Sequence, residues 1–124
     1  MPETNNNQKP NLPNYLKMSY NKYKNTKVQV DGIDFDSKKE AARYGVLKLL
    51  QRGQRISQLQ LQVKMDILVN ETKICAYVAD FTYLDEHGKL IIEDVKSEIT
   101  RKLPVYRLKK KLIKAIYGIE ITEI

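Results

Sequence analysis

The chain has 124 residues, a formal net charge of +7 and an isoelectric point near 9.4. That length suits one domain, the basic excess points to an anionic partner, most often nucleic acid, and a single cysteine, Cys75, excludes an internal disulfide framework. No run of 18 apolar residues occurs and the first residues lack an apolar core, so neither a membrane span nor a secretory signal is expected, and a soluble cytoplasmic protein follows.

Met1 to about Asn25 is polar, rich in Asn and Lys, and carries Pro2, Pro10 and Pro13. It reads as a flexible basic arm over 1–25, ahead of a folded domain over 26–124. Tyr15, Tyr20 and Tyr23 interleave with Lys17, Lys22 and Lys24. Such aromatics can stack on bases while the lysines meet phosphates. The plainer reading, a solvated tail with some tyrosines tucked onto the domain, covers most of these residues.

Lys27 to Phe35 predicts a short hairpin turning at Asp31-Gly32. Asp36 or Ser37 then caps a helix that runs to about Arg52 and ends at Gly53. Val46, Leu47 and Leu50 form its main apolar stripe, and Glu40, Tyr44 and Leu47 fall at i, i+4 and i+7, which sets Glu40 at the margin of the buried face. Ser37 and Glu40 have the spacing of a capping box, in which Glu40 reaches back to the Ser37 N–H. Glu40 has a second available job, projecting from the first helical turn towards the sheet. Spacing alone puts the cap first.

Ile56 to Val63 alternates, with Leu59, Leu61 and Val63 on one face and Gln58, Gln60 and Gln62 on the other, as in a half-buried strand. The glutamines suit a solvated face or a polar cleft. Lys64 to Val69 continues extended, Asn70-Glu71 turns the chain, and Lys73 begins the next strand.

That strand leads into Tyr77–Lys96, two strands joined at Asp85-Glu86-His87-Gly88. With Glu86, His87 and Gly88 as a three-residue loop, Asp85 faces Lys89, and counting back places Asp80 opposite Asp94. Lys96 lies two residues beyond Asp94 and shares its face. Opposed like charges destabilise a sheet, and a bound cation explains them. Mg²⁺ takes oxygen ligands, usually one or two carboxylates with water and phosphate. For either aspartate alone, solvent or Lys96 is sufficient explanation; the full spacing favours a metal.

After a loop, Pro104 opens a last helix with an apolar stripe of Val105, Leu108, Leu112, Ala115 and Ile116, capped by Gly118 and followed by a short strand over Ile119–Ile124. From Lys96 to Lys114 there are eight basic residues and one acidic one, an excess equal to that of the whole chain. A basic helix face is often just a soluble surface, but this one follows the proposed metal site in sequence, so Arg101, Lys102, Arg107, Lys110, Lys111 and Lys114 are the expected DNA contacts, with affinity falling steeply in salt. His87, the only histidine, belongs to a turn, so no zinc site or histidine-centred catalysis is expected.

Glu40 in an early helix, Asp80 on one strand and Asp94-Val95-Lys96 on the next resemble the PD-(D/E)XK nuclease superfamily, with Ala79 where a proline often precedes the first aspartate. FDSKKEAARY, LQLQ, YVADF, EDVK and YGIEI are similar to a family of small phage and prophage proteins of unknown function assigned to that superfamily. The likeness covers about Asn21 to Ile124. It implies a restriction-endonuclease-like α/β fold, a mixed sheet flanked by helices. It implies Mg²⁺, or Mn²⁺ in its place, held by Asp80, Asp94 and the Val95 carbonyl, with Glu40 completing the shell directly or through water. Lys96 would orient or help deprotonate the attacking water, and Gln62, with Gln60 as a second candidate, would join the site. The activity implied is phosphodiester hydrolysis by a DNA endonuclease, phage or prophage encoded and working in the bacterial cytoplasm. A homodimer and a branched DNA such as a Holliday junction follow by analogy. The rival expectation is a catalytically inactive DNA-binding or protein-binding regulatory module that keeps the fold.

Overall fold

A computed structural model describes residues 27–124. The expected arm, with its tyrosines, lies outside the described residues. Strands β1 (Val28–Val30) and β2 (Ile33–Phe35) pair antiparallel around Asp31 and Gly32. Both turn residues have positive φ, 54° and 75°, the conformation that lets a two-residue turn follow the twist of its strands. Helix α1 (Lys38–Arg52) is capped by Ser37, whose Oγ accepts from the Glu40 N–H at 3.1 Å. Gly53 closes it with an ordinary φ of −79°, and the left-handed residue is Gln54.

The two extended stretches after α1 are one strand, β3 (Ser57–Val69), because the alternation of half-buried and exposed residues runs on past Val63 to Ile67. Asn70 and Glu71, both at positive φ, turn it into β4 (Thr72–Leu84), followed by β5 (Leu90–Asp94). A one-turn helix, α2 (Glu98–Arg101), stands where the sequence reads as loop; Ser97 caps it by accepting from the Thr100 N–H at 3.2 Å. Helix α3 (Pro104–Tyr117) begins on Pro104 and ends at Gly118, φ 73°. Strand β6 (Thr122–Glu123) completes the four-stranded sheet, ordered β3-β4-β5-β6. The first three strands are antiparallel and β6 runs parallel to β5. The architecture is the expected mixed α/β one, a mixed sheet flanked by helices. Among the described residues no helix is long and apolar enough to cross a membrane.

Two cores hold the layers together. The first joins Phe35, Ala41, Tyr44 and Leu47 to Ile56, Phe81 and Tyr83, and the second joins Tyr106 and Ile113 to Ile67, Tyr77, Ala79, Ile92 and Ile121. Ile91 packs on the first and Ile92 is part of the second, so α1 and α3 cover opposite faces of β5. On β4, however, Tyr77 and Ala79 belong to one core while Phe81 and Tyr83 belong to the other. A flat strand would keep all four on one face. The change falls at the level of Gln62 and Asp80, where Gln62 has φ 53° in mid-strand.

Each helix buries only part of the stripe read from its sequence: Leu47 is buried and Leu50 half-buried in α1, and Leu112 packs against the core in α3. In α1, Val46 is exposed and the buried side is Glu40, Ala41, Tyr44 and Leu47. In α3, Val105 and Leu108 are 66% and 58% exposed, Ile116 is exposed too, and the core takes Tyr106 and Ile113. Both helices have an apolar sector wider than the groove they fill, and periodicity does not say which half docks. In α3 the choice goes to the half bearing Tyr106, whose ring enters the core while its hydroxyl donates to Glu123 at 2.8 Å.

Candidate metal centre

The ladder pairs Phe81 with Glu93, Thr82 with Ile92, Tyr83 with Ile91 and Leu84 with Leu90. The same register continued one step sets Asp80 opposite Asp94, as the three-residue loop requires. The loop itself is closed by the Asp85 N–H donating to the Lys89 carbonyl at 2.9 Å, with Gly88 at φ 78°. On the other side of β4, Leu61 pairs with Phe81 and Val63 with Ala79, which sets Gln62 opposite Asp80. Gln62, Asp80 and Asp94 thus stand in one row across three strands.

Glu40 joins the row from α1. Gln62 Nε2 donates to Glu40 Oε2 at 3.1 Å and to Asp80 Oδ1 at 3.4 Å. Among the described residues the Glu40 carboxylate makes no bond back to the Ser37 N–H. Only the serine half of the capping box forms, and the site takes the carboxylate. Asp80 Oδ2 accepts the Val95 N–H at 2.8 Å, which ties the two hairpin strands together beside the site. A cleft of about 260 Å³ opens here, lined by Ser37, Lys39, Glu40, Asp80, Val95 and Lys96 among others.

Asp94 is fully buried. Its Oδ2 accepts from the Tyr77 hydroxyl at 2.5 Å. Among the described residues its Oδ1 has no hydrogen-bond partner, and Lys96 Nζ stands 3.5 Å away. The Lys96 ammonium is itself 5.5 Å from the centre of the Tyr106 ring, within cation–π range. The preceding carboxylate contrasts with this. Glu93, 1% exposed, is held by Arg43 at 2.8 and 2.6 Å and also accepts from the Tyr83 hydroxyl. Glu93 is fully partnered and Asp94 is not, although they are neighbours on one strand.

Burial, then the Asp80 and Asp36 carboxylates, push Glu40 up to about 7 from an ordinary 4.5, with Lys96 opposing. Burial and the adjoining Asp80 raise Asp94 in the same sense, against the pull of Tyr77 and Lys96. Carboxyls that are hard to ionise together gain most from a cation.

Among the described residues no three carboxylate, imidazole or thiol groups close into a ready-made cage. A hard cation that keeps most of its water does not need one. Asp94 Oδ1, without a donor among the described residues and beside Asp80, which lines the cleft, fits such an ion. Val95 meets the site through its backbone N–H, which Asp80 accepts, whereas its expected role is that of a carbonyl ligand. Of the six expected site residues, Glu40, Gln62, Asp80, Asp94, Val95 and Lys96, all meet here. Gln60 does not; it faces a separate hollow with Thr82 and Leu84.

A family model matches residues 20–122. The chain belongs to DUF1064, a protein family of unknown function. Comparison with curated proteins and with solved structures gave no match.

The basic residues divide. Arg101, Arg107, Lys110, Lys111 and Lys114 line one groove of about 300 Å³ with Glu120 and Glu123, and Lys102 lies outside it. Lys110 pairs with Glu123 at 3.3 Å and Lys114 with Glu120 at 3.2 Å, while Arg101 Nε is 4.0 Å from Glu123. Arg107, Lys111 and Lys102 are exposed and unpaired among the described residues. Glu123 is the register partner of Asp94, so this groove adjoins the strand that carries the site.

Sequence reasoning passed over Tyr77, Tyr106 and the Arg43–Glu93 pair. Tyr77 stands three residues before Asp80, so simple alternation puts them on opposite faces; only the bend of β4 brings its hydroxyl to Asp94. Tyr106 was hidden by the stripe assigned to α3. Arg43 had a visible signal, an arginine three residues after Glu40 on the same helix, but no partner in sequence.

Proposed function

We propose that the protein is a Mg²⁺-dependent DNA endonuclease that hydrolyses phosphodiester bonds, with the site arrangement of the PD-(D/E)XK superfamily. One observation carries the reading: a buried aspartate, one oxygen of which has no hydrogen-bond partner among the described residues, stands next to a second aspartate and a lysine that line an open cleft. Asp80, Asp94 and the Val95 carbonyl would hold the ion, with Glu40 reaching it directly or through water. When bound, a divalent ion lowers the pKa of its water and neutralises phosphate charge.

The chain's own groups do the rest. Gln62 holds Glu40 and Asp80 at one position by bonding both. Lys96 stands beside Asp94, where its ammonium can orient the attacking water and offset charge developing on the phosphate. Arg107 and Lys111, exposed and unpaired among the described residues, offer cations for the DNA backbone. Mn²⁺ would substitute, as oxygen ligands accept either ion.

The test is incubation with linear and branched DNA in Mg²⁺, with chelator, and with Asp94→Ala. Cleavage by wild type in Mg²⁺ alone is expected. Equal cleavage by Asp94→Ala overturns the reading, and salt-sensitive binding without any cleavage makes the protein a silent DNA-binding module.

A further inference from the structure

Strand β4 presents two buried tyrosines to two consecutive carboxylates of β5. Tyr83 donates to Glu93, and Tyr77 donates to Asp94 at 2.5 Å. The consequences differ because the rest of each carboxylate's surroundings differ. Both Glu93 oxygens are already taken by Arg43, so the Tyr83 hydroxyl adds a bond without deciding an orientation. Asp94 has no such clamp. Its other polar neighbours among the described residues are Lys96, 3.5 Å from Oδ1, and the Asp80 carboxylate, and no donor among those residues bonds Oδ1.

The terminal torsion of an aspartate is broad and has little preference of its own. Without a donor at Oδ2, the buried carboxylate would turn both oxygens towards the Lys96 ammonium, the nearest positive charge. We propose that Tyr77 is a positioning residue: its hydroxyl anchors Asp94 Oδ2 and thereby keeps Oδ1 bare and directed to the cation site. Partners of a ligating carboxylate commonly set its orientation in this way. The Tyr77 ring is fixed by the second core, where it packs with Ile92, Tyr106 and Ile113, so the hydroxyl is delivered from a rigid wall. This inference rests on the metal-site reading above and assigns that site a residue outside its ligands.

The test compares Tyr77→Phe with Tyr83→Phe. Each variant keeps its ring in the core and loses one hydroxyl from a buried carboxylate, so the two are matched for structural damage. Mn²⁺ binding is measured by titration calorimetry without DNA, well below the unfolding temperature of each variant. Tyr77→Phe is expected to bind Mn²⁺ about 10–100-fold more weakly than wild type, the usual effect of removing a partner of a ligand. Tyr83→Phe is expected to bind as wild type. Equal affinity in wild type and Tyr77→Phe, or an equal loss in both variants, overturns the inference and leaves the metal site standing. Absence of Mn²⁺ binding in wild type overturns both.

A second measurement needs no variant in the titration. With tyrosine labelled at the carbon bearing the hydroxyl, Mg²⁺ should shift the Tyr77 resonance and leave that of Tyr83 in place. A Tyr77 signal indifferent to saturating Mg²⁺ overturns the inference, whether or not Tyr77→Phe folds.

Discussion

Lys96 Nζ lies 3.5 Å from Asp94 Oδ1, an oxygen that no donor in the described residues bonds. The ammonium therefore balances the acidic cluster without being spent on a direct hydrogen bond. Lys96→Met should lower kcat for DNA cleavage by about 10²–10³-fold, the effect of losing one electrostatic group at a transition state. Mn²⁺ affinity, measured by calorimetry, should hold or increase, because the variant removes a competing positive charge. Loss of Mn²⁺ binding in Lys96→Met would make the lysine a structural support instead.

Glu40 sets a pH dependence with a definite sign. Its folded value of about 7 lies above the ordinary 4.5, so between those limits the folded chain binds a proton that the unfolded chain has lost. Stability of the metal-free protein should then fall as pH rises through that window, by up to about 1.4 kcal/mol per unit for one full proton. Asp94 acts in the same direction. Urea unfolding between pH 5 and 8 reads the slope, which should flatten in Glu40→Gln. Mn²⁺ affinity should climb over the same window, since binding needs the ionised carboxylates.

The Arg43–Glu93 pair joins α1, which carries Glu40, to β5, which carries Asp94. Arg43→Met leaves a buried carboxylate without its cation and should cost about 3–5 kcal/mol. Arg43→Met with Glu93→Leu should recover most of that, since two apolar side chains replace two charges. Denaturant midpoints of the three proteins decide it; a double variant as unstable as the single one would contradict the account.

The orientation of α3 separates two apolar residues by position. Ile113→Ala, at a fully buried site, should cost about 2–5 kcal/mol. Leu108→Ala, on the exposed side, should stay within about 0.5 kcal/mol of wild type. The reverse order in thermal unfolding would restore the stripe read from the sequence.

Arg107 and Lys111 should matter more for DNA than Lys110 and Lys114, which Glu123 and Glu120 engage. Each of Arg107→Ala and Lys111→Ala should weaken duplex binding and reduce the slope of log affinity against log salt by about 0.9, one phosphate contact. Fluorescence anisotropy across a salt series checks this. Equal slopes in all four variants would spread the contact evenly over the groove.

The site was largely legible because its spacing is local. Asp80, Asp94 and Lys96 are fixed relative to one another by a loop of three residues and a period of two, and both follow from the chain alone. Gln62 joined them by resemblance, and the β3–β4 register explains why it fits. The side of each helix that docks was legible only in part: Leu47, Leu50 and Leu112 turn inward as read, and the rest of each stripe does not. Val46, Val105 and Leu108 are as apolar as the residues that were buried instead, and their exposure depends on grooves made by distant strands.

Glu40 shows where the boundary runs. Sequence placed it in the first turn of a capped helix, three residues after Ser37, and left its carboxylate two destinations. Tertiary structure chose between them by bringing Gln62 within 3.1 Å from a strand 22 residues further on. Short-range order, meaning turns, caps and the carboxylate pair, was written in neighbouring residues, because local sterics and hydrogen bonding set it. Which polar atoms end up satisfied, and that Asp94 keeps one oxygen bare, came only from packing, because it depends on Tyr77 crossing a bend that no periodicity records.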